Sequence, residues 1–298
     1  MPSISSPSQL TAVIGFNLPD ERLDHDPSVY LTYLEGREKP VEHIRVPVLD
    51  LRPELEAEQQ VHPQQQLYER GYAVTKHQSP FVERVASPEG IEGYLAESAE
   101  LLRSYIGCTR VIAWNSVIRR NAEGVKLKPI EKQKGPEKGF KPTDPSRIQP
   151  IAGVAHVDQD ATWGKELVGK AAGRPADSFQ RGMIVNLWRP LNGPVTNAPL
   201  AMADGRTFTF KDISRHASQY GIGIDIHHSP SQHWSYIRHQ MPDEIILLKC
   251  YDTAQGSDGS VLYCGHVAVK VDNDADGIAP ELVRPRESIE VRLVALWE

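Results

Sequence analysis

The sequence predicts a mainly β protein, a jelly roll or β-sandwich with flanking helices. Two observations carry this. From about residue 150 to the end, strand-like runs follow one another on a long pitch: Met183–Leu191, Asp243–Tyr251, Val261–Val271 and Pro285–Trp297. The first third is mixed instead, with helical spacing between its strand-like runs. There is no internal repeat. Strands gathered in one half and helices in the other suit a double-sheet fold with helices packed outside it.

The 298 residues suffice for one domain spanning 1–298. Within it we expect an extended arm and first strand over 1–65, a basic lid-like loop over 119–148 and a jelly-roll core over 150–298. The net charge of −6 argues against a nucleic-acid footprint. No apolar run approaches the roughly 20 residues of a membrane span. The N-terminus lacks the basic segment that precedes a secretory apolar stretch. Cys108, Cys250 and Cys264 are odd in number and lack zinc-site spacing, so they read as buried, reduced thiols. A cytoplasmic location with no membrane partner follows as an expectation. Assembly is left open, a homodimer among the options.

Taken in order, Val46–Leu51 reads as a first strand. Leu55–Tyr68 reads as a helix that Pro63 breaks or kinks. Gly71–His77 is a strand. Ile91–Ile106 carries apolar residues at helical spacing and ends at Gly107. Arg110–Arg119 is rich in strand formers. Residues 119–148 then change character, with Lys, Arg, Gly and Pro dominating. Such a loop beside a site reads either as a lid or as a solvated insertion with no role. The stretch Asp212–His239 is polar and rich in histidine.

The chemistry begins at Gly153–Asp160 (GVAHVDQD), a short strand with a polar end. His156 and Asp158 share one face of an extended chain. An imidazole and a carboxylate two residues apart suit a metal with nitrogen and oxygen ligands, Fe(II) above all. His266 lies in a later strand-like run, and strands far apart in sequence meet in a jelly roll. At the last strand, Arg286, Ser288, Glu290 and Arg292 alternate onto one face. A buried arginine beside a hydroxyl there predicts an anionic partner, held in a two-pronged grip.

Together, His156-Val157-Asp158, Asn186-Leu187-Trp188-Arg189-Pro190-Leu191, His233-Trp234-Ser235-Tyr236, His266 and Arg286-Glu287-Ser288-Ile289-Glu290-Val291-Arg292 resemble the Fe(II)/2-oxoglutarate-dependent oxygenases. More narrowly the chain resembles the group with the cephem 7α-methoxylase accessory subunit, gibberellin desaturase, aspergillic acid hydroxylase and the fungal meroterpenoid endoperoxide-forming enzymes. The match covers roughly residues 65 to 298. It departs at His266-Val267-Ala268-Val269, where the group has a small hydroxyl residue, Ala and Phe after the histidine.

The resemblance implies a cupin-like double-stranded β-helix with Fe(II) on His156, Asp158 and His266. It implies 2-oxoglutarate at Arg286 and Ser288, O2 as oxidant, and ascorbate as a reductant in vitro. The substrate would be a small secondary metabolite, terpenoid, meroterpenoid or polyketide. The outcome would be hydroxylation, desaturation, or ring or endoperoxide formation. Asn186 and Arg189 are candidates for the cofactor pocket. Trp163, His233, Trp234 and Tyr236 are candidates for substrate contact, with core packing as the alternative for Trp163 and Tyr236 and a surface histidine cluster for His233 and Trp234. Two rival readings remain: a non-catalytic partner subunit that keeps the fold, and a zinc hydrolase using the same three ligands.

Overall fold

A computed structural model describes residues 10–30, 39–121, 148–218 and 221–298. In chain order its elements are β1 (Thr11–Asn17), β2 (Val41–Asp50), α1 (Arg52–Leu55), α2 (Pro63–Arg70), β3 (Tyr72–Lys76), α3 (Pro88–Ile106), β4 (Arg110–Arg120), β5 (Ile148–Gln149) and β6 (His156–Val157). There follow α4 (Ala161–Ala172), β7 (Arg181–Pro190), β8 (Leu200–Ala203), β9 (Ile213–Ser218), β10 (Gly221–Ile226), β11 (Trp234–Tyr236), β12 (Glu244–Asp252), β13 (Gly265–Ala268), β14 (Lys270–Val271) and β15 (Glu287–Trp297).

These strands make the two curled sheets of a jelly roll. The larger has the order β14-β1-β2-β11-β8-β13-β6-β10-β9, the smaller β3-β12-β7-β15-β4-β5. One apolar core lies between the sheets and a second lies between the smaller sheet and α3. Strand alternation distributes the side chains. On β7, Ile184 and Trp188 face the inter-sheet core, while Met183, Val185 and Leu187 face the outer one. On β15, Val294 and Leu296 point inward and Ile289, Val291 and Leu293 outward. Both strands are covered on two faces, hence their nearly continuous apolar sequence.

The helices follow their local signals, with three corrections. Helix α3 starts earlier than its apolar spacing predicts, at Pro88, because the Ser87 hydroxyl accepts from Gly90 N–H. It ends at Gly107, whose φ of 64° is left-handed. Pro63 does not kink a longer helix but opens α2. At the first helical position its missing N–H removes no bond. Helix α4 was not legible as apolar spacing. Asp160, read as the polar end of a strand, is its cap and accepts from Trp163 N–H at 2.7 Å.

The expected arm is more ordered than an arm. Thr11–Asn17 pairs antiparallel with β2, so residues before 65 supply two neighbouring strands of the larger sheet. The jelly-roll core therefore draws on the chain well before residue 150. Strand β1 also sets the position of the site. Ala155 N–H donates to Gly15 O at 2.8 Å. A Cβ on Gly15 would lie 2.4 Å from Gly153 O, so only glycine allows that approach. Of the basic loop, residues 122–147 lie outside the described residues.

Candidate metal and carboxylate site

The backbone brings the two distant histidines side by side. His266 on β13 is the register partner of His156 on β6, and the ring centroids lie 4.5 Å apart. Asp158 follows β6 and turns back on them. Its Oδ1 lies 3.4 Å from His156 Nε2 and 3.9 Å from His266 Nε2. One donor atom from each residue falls within 4.8 Å of the others. Two ligands bound side by side at about 2.1 Å sit about 3 Å apart, so a small inward shift would let all three reach one ion. His156 Nδ1 lies 2.7 Å from Val154 O. Donating there leaves Nε2 with its lone pair toward Asp158 and His266.

The carboxylate is braced from behind. Asp158 Oδ2 accepts from Arg292 Nε at 2.9 Å and from Asn186 Nδ2 at 2.8 Å. Arg292 in turn donates to Asn115 Oδ1 at 3.1 Å and pairs with Glu290 at 3.0 Å. Oδ2 is thus spent on protein donors and Oδ1 faces the imidazoles. Burial alone would raise the Asp158 carboxyl, but Arg292 and the two histidines outweigh it and hold it well below the usual carboxylate range.

Burial, then the neighbouring His156, push the His266 imidazole down to about 3. It is therefore neutral, the form that binds a metal. An unfolded histidine titrates near 6.5. Between these values the unfolded chain binds a proton that folded His266 refuses. The metal-free protein should lose stability as pH falls below about 6.5, by up to about 1.4 kcal/mol per pH unit from this residue. His156 leans the other way. Burial lowers it, but Asp158 outweighs burial and raises it. His266→Gln should then lose less stability than the native protein between pH 7 and pH 5.5, measured by urea unfolding. Equal losses would show that His266 is not the source.

A second cluster shares the pocket. Arg286, Glu290, Trp188 and Arg119 line it together with the three candidate ligands. Arg286 is 2% exposed and its guanidinium sits 5.4 Å from the Trp188 ring centre. Nη1 donates to Ala198 O at 2.6 Å, while the buried Nε has no hydrogen-bond partner among the described residues. Burial, then the like charge of Arg119, push the guanidinium down to about 9. Ser288 is 1% exposed, and its Oγ is likewise without a partner.

Other candidates lie elsewhere. Arg189 is buried, but on the opposite face of β7 from Asn186 and Trp188. It donates to Tyr94 Oη at 2.8 Å, His77 O at 2.8 Å and Pro242 O at 2.6 Å, tying α3 to the sheet. It does not line the pocket; odd and even residues of one strand cannot both face it. Trp163 lies on α4 with Lys170 Nζ 4.1 Å from its ring centre. Trp234 is buried against Phe16 and Phe208, and Tyr236 donates to Asp274 at 3.3 Å. His233 is exposed on the connection before β11. None of these four lines the pocket. Asn115 and Arg119 were not singled out. Their signal is the alternation of Asn115, Val117 and Arg119 along β4, polar residues set into a buried strand.

The family model described as "Oxidoreductase/YMDC permease-like domain" matches residues 32–296. The chain belongs to this family. Among its relatives is the aspirochlorine biosynthesis protein N of Aspergillus oryzae, 36% identical over 40% of this chain and 49% of that protein. Another is the Fe(II)/2-oxoglutarate-dependent dioxygenase nvfI of Aspergillus novofumigatus, 27% identical over 74% of this chain and 77% of that protein. The chain spans only about half the length of the first curated relatives it matches, 49% and 56%. The solved structure of the iron and alpha-ketoglutarate-dependent endoperoxidase NvfI superposes with a TM-score of 0.70 at 23% identity, covering 97% of this chain and 98% of that one. It shares the jelly-roll fold. These relatives bear out the resemblance to the oxygenase group read from the sequence. Among the described residues no helix is long and apolar enough to cross a membrane.

Proposed function

We propose that this chain is an Fe(II)- and 2-oxoglutarate-dependent oxygenase acting on a small secondary metabolite of terpenoid, meroterpenoid or polyketide type. The observation that carries the reading is the pairing of two features in one pocket. One is a set of two imidazoles and one carboxylate. The other is a buried arginine and serine whose Nε and Oγ lack partners among the described residues. The donor set fits Fe(II), with no sulfur and one face left to other ligands. The unpaired donors fit a carboxylate, since a buried guanidinium is unfavourable without an anion. A zinc hydrolase would need the first feature but not the second.

In this reading His156, Asp158 and His266 hold the iron, while Arg286 and Ser288 hold the distal carboxylate of 2-oxoglutarate. Bound there, iron, co-substrate and O2 supply an oxidative decarboxylation coupled to oxidation of the metabolite. The protein's own share is positional. Arg292 and Asn186 fix the rotamer of Asp158, Val154 O sets the His156 tautomer, and Trp188 with Leu200 walls the pocket from water. Three buried free thiols support a reducing, cytoplasmic setting.

The test is succinate formation by protein supplied with Fe(II), ascorbate and 2-oxoglutarate, with and without a chelator, against a panel of such metabolites. Metal-dependent succinate is expected even without the true substrate, and the true substrate should stimulate it. Folded, iron-loaded protein that makes no succinate under any condition would overturn the reading in favour of a non-catalytic subunit.

A further inference from the structure

The pocket holds one more cation than a single-arginine clamp requires. Arg119 stands on β4 directly opposite Ser288 on β15. Directly opposed residues on one sheet face have Cβ atoms about 5 Å apart, and diagonal ones about 7 to 8 Å, within reach of long side chains. Asn121 N–H donates to Arg286 O at 2.9 Å, which continues the same pairing and makes Arg119 the diagonal neighbour of Arg286. The two flanking side chains reinforce this register, because Arg120 pairs with Glu287 at 2.5 Å. The inward face of β4 therefore runs Asn115, Val117, Arg119 against Arg292, Glu290, Ser288.

The other charges near the site are already balanced in pairs. Arg292 is held between Asp158 and Glu290. Arg119 has no such partner among the described residues. Its Nη1 donates to the backbone oxygen of Pro150 at 2.8 Å, which steers the side chain and leaves its other N–H groups without a side-chain partner among the described residues. Two guanidiniums thus flank one unpartnered hydroxyl, and both line the pocket. A buried guanidinium with a second, part-buried one beside it favours an anion between them. A carboxylate offers two oxygens with about four acceptor positions, more than Arg286 Nε and Ser288 Oγ fill.

We infer that Arg119 is a third donor to the distal carboxylate of the co-substrate, closing the Arg286–Ser288 grip from the neighbouring strand. The inference rests on the function proposed above. It makes recognition of a dicarboxylate a property of two strands, and it selects a 2-oxo acid with a distal carboxylate over one without.

The test uses the full chain loaded with Mn(II), which binds without turnover. Titration calorimetry follows 2-oxoglutarate and, separately, 2-oxobutyrate, which lacks the distal carboxylate. In Arg119→Gln the dissociation constant for 2-oxoglutarate should rise about tenfold, the scale of one hydrogen bond to a charged group. That for 2-oxobutyrate and that for Mn(II) should stay as in the native protein. Arg119→Lys should recover part of the loss, because it restores the charge without the fork. Unchanged 2-oxoglutarate affinity in a variant that still binds Mn(II) would overturn the inference alone, leaving Arg119 to a carboxylate of the metabolite. Equal weakening of both oxo acids would also overturn it. Native Mn(II)-loaded protein that binds no 2-oxoglutarate would overturn the proposed function with it.

Discussion

Asp158→Ala should abolish metal-dependent turnover, with a loss of at least about 10³-fold, and should strip the protein of iron on dialysis. The carboxylate is the only anion of the three candidate ligands, and charge stabilisation by a bound metal is worth several kcal/mol at the reacting centre. Geometry sharpens the expectation. Oδ2 is committed to Arg292 and Asn186, so Oδ1 alone is turned toward both imidazoles. Removing the side chain deletes the ligand and also releases Arg292, whose remaining carboxylate partner is Glu290. Some destabilisation of the metal-free protein is therefore expected, and Asp158→Asn separates the two effects. Its amide oxygen can still accept from Arg292, so the fold should hold while the metal is lost. Metal content and Mn(II) titration would report the site, and near-ultraviolet circular dichroism the fold. Retained metal affinity in Asp158→Asn, with native folding, would remove Asp158 from the ligand set.

What could be read from the sequence followed the period-two rule, and what was missed broke it. Ser288, Glu290 and Arg292 face one way by alternation along β15, with Arg286 continuing it, while Asp158 meets the histidines through the bend after β6. Asn186 and Trp188 obey the same parity, which sets Arg189 on the far face with Tyr94 and His77. Placing both Asn186 and Arg189 at the cofactor pocket overlooked this. Trp234 and Tyr236 share a face as well, but it is the packed face of a central strand, and a run of aromatics does not by itself tell substrate contact from core. Helix α4 hid because only Gly164, Leu167 and Val168 are buried in it, too few to mark a stripe. Strand β1 hid because long-range pairing with β2 and β14, not local preference, makes it a strand. Arg119 went unread for a different reason. Sequence alternation put it in a strand, but only the register opposite Ser288 brings it to the pocket.

Arg286→Ala should raise the dissociation constant for 2-oxoglutarate by about 10² to 10³-fold while leaving Mn(II) affinity near native. Truncating one member of a buried, hydrogen-bonded charge pair costs about 3–5 kcal/mol, because the other charge is left in a poor environment. The residue is 2% exposed, seated over Trp188, and held by Ala198 O so that Nε is turned away from that bond and carries no other partner. Ser288→Ala removes one hydroxyl donor and should cost less, about 10-fold to 10²-fold. The order Arg286 above Ser288 and Arg119 is what distinguishes a primary grip from its supports. Arg292 cannot substitute, being neutralised by Asp158 and Glu290, and Arg189 lies across the sheet. An Arg286→Ala protein with unchanged 2-oxoglutarate affinity would therefore take the co-substrate out of this pocket altogether, not shift it to a neighbouring arginine.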